Sequence, residues 1–200
     1  MERGGSTTPK PPGHGYRWYR AEKFGFAVAV PRRLEALEAA VDPVARMILG
    51  DARTAAAGLP RGFWDPEVVA TRPDGSRQPL RCLEFAAIGI GSDERALGGR
   101  TAAWLRLDGR TTVPPLLDSL DLPGFAPLGV RDCRLGAHEA LGFEYTWHGF
   151  AGGRHSGDHG LLVWWRSLAR EYHVYYHCPQ KEWERWEDEL EAVLSTFVAF

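Results

Sequence analysis

Apolar and polar residues change their spacing several times along the chain, and each change predicts an element. From Leu141 to His148 they alternate, with Leu141, Phe143, Tyr145 and Trp147 on one face, which is the two-residue period of a strand. The runs LLVWWR (161–166) and YHVYYHC (172–178) are rich in aromatic and β-branched residues and predict two more strands. A short turn joins them, so they are antiparallel neighbours. Trp164 and Trp165 point to opposite sides of their strand, as do Val174 and Tyr175 of theirs. A sheet with one wet face would carry polar residues at half of these positions. Both faces are therefore expected to be covered. The chain then changes to a helical period, with Trp183, Trp186, Leu190, Val193, Leu194 and Phe197 on one stripe. Pro179 suits the first turn of this helix. Glu182, Glu184, Glu187, Asp188, Glu189 and Glu191 fall on the other side and read as a solvated face. The predicted class is α+β: a mainly antiparallel sheet with helices on both faces, an α/β/α sandwich, closed by a C-terminal amphipathic helix.

Earlier segments fit the same class. Residues 1–15 are Gly, Pro, Ser and Thr with little to bury, which predicts a disordered tail. Residues 16–200 are expected to form one domain. Tyr16 to Tyr19 and Phe24 to Val30 predict strands, the second stopped by Pro31. Arg33 to Leu49 has helical spacing through Leu34, Leu37, Val41, Val44 and Ile48, and Asp42-Pro43 divides it, favouring two short helices over one kinked helix. Glu67 to Thr71 and Leu80 to Ile88 flank a turn at Pro73-Asp74-Gly75 and predict a hairpin. Ala102 to Leu107 and Val130 to Arg134 predict strands, and Pro115 to Leu120 a short helix.

Charge and composition narrow the function. The net charge is −2, so no global positive field would collect nucleic acid or anionic lipid. The chain holds 21 Arg, 3 Lys and no Asn, a skew that resembles GC-rich coding as in actinobacteria. Cys82, Cys133 and Cys178 are too widely spaced for a metal motif and form no disulfide framework; they read as buried free thiols. No stretch reaches the ~18 apolar residues of a membrane helix, and the polar N-terminus has no apolar signal core. The expected location is cytoplasmic.

Candidate chemistry is sparse. His155-Ser156-Gly157-Asp158-His159 contains hydrolase residue types, but triads assemble from distant segments, so it reads as a solvated hairpin tip. His173 and His177 share a strand face ~13 Å apart at ~3.3 Å per residue, too far to share a metal. Gly89, Gly91, Gly98 and Gly99 do not follow phosphate-loop spacing. No metal site, cofactor site or catalytic residue is assigned. Eight Trp leave room for an aromatic groove. Trp147, His148, Trp165 and Tyr175 are its candidate residues, because their strands are expected to be neighbours.

The run GFAVAVP, a Pro-started helix ending in PGF, then LGAHEALGFEYTWHG, YHVYYHCP and a closing Trp-rich helix with STF resemble the PsbP-like superfamily. The resemblance spans Thr101 to Phe200 and, locally, Phe24 to Pro31. Arg32 and Arg33 stand where that family usually places a Trp. The resemblance implies an α/β/α sandwich and supplies no shared catalytic residues. The leading expectation is a non-enzymatic binding or adaptor domain for a protein or a small apolar ligand. The alternative is a hydrolase using a His of the 148–159 region. Neither the partner nor the oligomeric state is legible in the residues.

Overall fold

A computed structural model describes residues 13–37, 61–71, 74–75, 77–89, 124–148, 157–167 and 170–200. The alternation around Leu141 builds one half of a seven-stranded antiparallel sheet. In spatial order its strands are β3 (Glu35–Leu37), β4 (Arg61–Trp64), β7 (Cys82–Gly89), β11 (Arg170–Pro179), β10 (Gly157–Arg166), β9 (His138–His148) and β8 (Ala126–Leu135). On β10, Val163 lies between Gly142 of β9 and Val174 of β11. A smaller sheet holds β1 (Tyr16–Ala21), β2 (Phe26–Pro31) and β12 (Val198–Ala199), with β2 central. β5 (Val69–Thr71) and β6 (Arg77–Pro79) form a separate hairpin.

Helix α1 (Trp183–Ser195) lies on one face of the large sheet. Trp183, Leu190, Val193 and Leu194 share a buried cluster with Leu83, Phe85, Leu161, Val163, Val174 and Tyr176. The small sheet joins this core through Phe26, whose ring is 5.7 Å from Phe85, 6.2 Å from Tyr172 and 5.5 Å from Phe197. The second face of the large sheet carries Glu84, Phe143, Tyr145, Trp147, Leu162, His173 and Tyr175, all buried. Trp165 and Val174 face α1, while Trp164 and Tyr175 face away, as the doubly apolar runs require. α1 is the one α-helix among the described residues, and none of those residues forms a helix long and apolar enough to cross a membrane.

Several elements differ from the sequence pattern. Glu35–Leu37 pairs with β4 as a strand, so the helical spacing from Arg33 does not hold at its start; the rest of that segment lies outside the described residues. β7 pairs with β11 and β4 rather than with β5, which takes β6 as its partner across a turn with Gly75 at φ 81°. Burial decides this, because Leu83, Phe85 and Ala87 enter the core. Pro179 ends β11, and a 3₁₀ turn over Gln180–Glu182 precedes α1. Residues 1–12, the strand predicted at 102–107 and the helix predicted at 115–120 lie outside the described residues.

Candidate functional site

The four residues singled out as an aromatic groove do not converge. Trp147 and Tyr175 lie on the second face and are both buried. Trp147 reaches His177, ring to ring 5.7 Å, across Gly160. A Cβ at Gly160 would lie 2.6 Å from the Tyr145 ring and 2.8 Å from that of Trp147, so glycine makes the slot these rings occupy. Trp165 is on the α1 face, stacked on His138 at 3.9 Å and Tyr172 at 5.2 Å. His148 is exposed at the end of β9, with its ring against Gly124. Burial pushes the Tyr175 phenol well above its ordinary value, and its oxygen lies 3.1 Å from Nδ1 of His173. Tyr175 acts here as an interior hydrogen-bonding group.

His159 corrects the reading of a solvated hairpin tip. It is buried on the α1 face of β10, stacked on Trp183 at 3.8 Å. Its Nε2 lies 2.6 Å from Oε1 of Glu144, and its Nδ1 lies 3.2 Å from Oε1 of Gln180. Both ring nitrogens are engaged. Residues 149–156, including His155, lie outside the described residues. Among the described residues no three His, Cys, Asp or Glu side chains come together as a metal-ligand group.

Two arginine clusters, which no local pattern in the sequence announces, flank α1. Arg81 is buried and donates from Nη1 to Asp65 at 2.8 Å, from Nε to the Tyr176 hydroxyl at 3.1 Å, and from Nη2 to Glu189. Arg33 donates to Asp65 at 3.2 Å and to Glu189 at 2.6 Å. The Trp186 ring lies beneath Arg81 at 3.4 Å and Arg33 at 4.7 Å, distances suited to cation–π attraction. Trp186 is thus half-buried among guanidinium groups rather than set deep in the core. This network ties β4, β7 and α1 together. It also corrects the reading of a wholly solvated acidic face, because Glu187 and Glu189 are both ion-paired.

The other cluster borders an open groove of about 860 Å³ between the β8–β9 hairpin and α1. β8 supplies Arg131, Asp132, Cys133 and Arg134, the β8–β9 turn and β9 supply Gly136, Glu139 and Ala140, and α1 supplies Glu191, Leu194 and Ser195. β8 ends the sheet in the described strand order. At the turn, Gly136 has φ 62° and its N–H donates to the Leu194 carbonyl at 2.8 Å. A Cβ there would lie 1.9 Å from the Phe197 carbonyl oxygen, so glycine lets the turn close against the end of α1.

One cation of the groove is paired with a carboxylate at its margin. Arg131 pairs with Glu187 through Nη1, and its Nε is buried without a hydrogen-bond partner. Burial acts to lower its pKa, but hydrogen bonding with Glu187 and nearby negative charge more than offset this. Burial pushes the Cys133 thiol up, against the pull of Arg131, so it stays protonated at neutral pH and is a poor nucleophile. The arrangement offers hydrogen-bonding and apolar contact along one strand.

No protein-family model matches this sequence, and neither does any curated protein. Solved structures do match. PsbP (CyanoP) from Synechocystis sp. PCC 6803 is similar at 12% identity, with 98% of this chain and 100% of that chain covered and a TM-score of 0.52. LpqN of Mycobacterium tuberculosis, described as involved in cell envelope biogenesis, is similar at 14% identity over 96% of this chain and 88% of that one, with a TM-score of 0.52. A Bacteroides thetaiotaomicron protein aligns at 9% identity and a TM-score of 0.54 over 93% of this chain. This chain spans about half of that protein, 49%. The chain has a PsbP-like fold.

Proposed function

We propose that this chain is a non-enzymatic binding domain and that its partner sits in the groove between β8 and α1. The observation that carries this reading is the groove itself. It is open, it holds apolar and hydrogen-bonding groups together, and its most reactive residue types are committed elsewhere: Arg131 to Glu187 and the Cys133 thiol to its protonated form. His159, the buried member of the 148–159 region invoked by the hydrolase alternative, is enclosed by Trp183, Glu144 and Gln180. A covering layer over Trp147 and Tyr175 belongs to the same reading, supported by their burial, as does a cytoplasmic location.

Amide-shift mapping of the full chain against a mixed collection of small-molecule fragments and short peptides tests it. Shifts should concentrate at Cys133, Ala140, Leu194 and Ser195. Ser195→Trp, at an exposed rim position, should abolish them without lowering stability. Shifts confined to the surroundings of Trp147 and Tyr175 would place binding on the second face and overturn the proposal.

A further inference from the structure

We infer that His159 is a proton-operated latch between the sheet and the start of α1, in which Gln180 turns its side-chain amide over each time the ring gains or loses a proton. The latch lies against the Trp183 ring and works whether or not the groove holds a partner.

Both nitrogens of the imidazole face oxygen. Nε2 lies 2.6 Å from Oε1 of Glu144, and Nδ1 lies 3.2 Å from Oε1 of Gln180. An ionised carboxylate has no proton to offer, so Nε2 keeps its hydrogen whether the ring is charged or neutral. Nδ1 is therefore the nitrogen that changes. With a hydrogen on it, the ring is an imidazolium and donates to the Gln180 oxygen as it stands. Without one, Nδ1 is an acceptor facing an acceptor. A half-turn of the amide brings the NH2 group in place of the oxygen and restores a hydrogen bond without moving the backbone.

The surroundings make the amide follow the proton. The His159 side chain is 4% exposed, and its ring stacks on Trp183 at 3.8 Å. A ring nitrogen left without a partner at that depth is destabilising. A buried imidazolium needs an anion, and Glu144 supplies it. Among the described residues, the other ionisable groups around the ring do not replace these two. Cys178 stands opposite His159 on β11, and burial pushes its thiol up to about 12, so it stays protonated wherever an imidazole titrates. Thr146 stands opposite on β9, and Asp158 has the other strand parity. Lys181 and Glu182 share the 3₁₀ turn with Gln180. On the α1 side, Glu187 is paired with Arg131 of β8, whose guanidinium carbon lies 6.0 Å from the Trp183 ring. Gln180 opens the turn that leads from β11 into α1, so its two amide orientations are two ways of fastening that turn to the sheet.

Nitrogen NMR of the His159 ring and the Gln180 side chain tests the latch in the full chain, stepped across the range in which imidazoles titrate, about pH 8 to about pH 5. The neutral ring should carry its hydrogen on Nε2, and the charged ring on both nitrogens. The Gln180 amide signals should move with the same midpoint, and the NH2 group should be protected from exchange only while the ring is neutral. Gln180→Glu presents an oxygen in either orientation and should raise the midpoint by about one pH unit or more. A Gln180 amide that stays still while the ring titrates would overturn the latch. So would a neutral ring with its hydrogen on Nδ1, a ring that keeps one protonation state throughout, or a midpoint unmoved by Gln180→Glu.

Discussion

The two arginine clusters beside α1 use the same chemistry at different depths. Around Arg81 the side chains of Arg81 and Asp65 are each 2% exposed, and that of Glu189 17%. Around Arg131 the exposures are 32% for Arg131 and 31% for Glu187. Depth sets what a pair can do. A deeply buried charge has lost its hydration and depends on its partner, so the Arg81 network is a lock that cannot open without unfolding. A half-exposed pair keeps part of its hydration and contributes little to stability. The first cluster accordingly joins strands to helix, and the second lines a groove.

The largest expected effect comes from breaking the lock. Arg81→Ala leaves Asp65 buried with only the half-exposed Arg33 as a cation, and should cost about 3–5 kcal/mol in urea melts. A cost below ~1 kcal/mol would mean that the two clusters do not differ as their depths imply. Next is Trp186→Ala, which removes the ring under Arg81 and Arg33. Because Trp186 is half-buried, the loss should be about 2–3 kcal/mol, below that of a fully buried Trp.

A smaller effect is expected at alkaline pH from two buried acids beside Arg81, Cys178 and Tyr176. Burial pushes the Cys178 thiol up to about 12 and raises the Tyr176 phenol as well. Both are acids whose folded-state pKa lies above the unfolded value. The folded state holds its protons longer, so stability is complete below the unfolded pKa and falls as pH rises above it. For Cys178 alone the loss should reach about 1.4 kcal/mol one pH unit above its unfolded pKa. Urea melts at stepped alkaline pH check this, and Cys178→Ala should remove that share of the slope. The smallest effect belongs to the groove. Arg131→Ala should change stability by less than ~1 kcal/mol while altering fragment binding in the groove, measured by amide-shift titration.

The fold was largely legible where side-chain period was strong. Phe143, Tyr145 and Trp147 alternate because β9 buries that face, and Leu190, Val193 and Leu194 recur at helical steps because α1 buries one stripe. Short elements were less legible. Glu35–Leu37 has leucines at a helical interval yet pairs with β4, and β7 passes over its sequence neighbour β5 to join β11. The candidate site was barely legible. Trp147, Trp165 and Tyr175 stand out as aromatic residues, but strand parity sends Trp165 to one face and the other two to the opposite face. Cys133 and Arg131 sit in a weakly alternating strand that gave no local signal of a groove.

Local pattern by itself determined which segments are strands, where the closing helix runs and that both faces of the sheet are apolar. Period and propensity act between near neighbours, so one segment suffices to show them. Only the tertiary structure decided that Arg33, Asp65, Arg81 and Glu189 meet, although up to 156 positions separate them. It alone set β8 at the end of the described strand order, beside Leu194 and Ser195. An ion pair or a groove depends on the distance between elements, and that distance is set by how their apolar faces pack together.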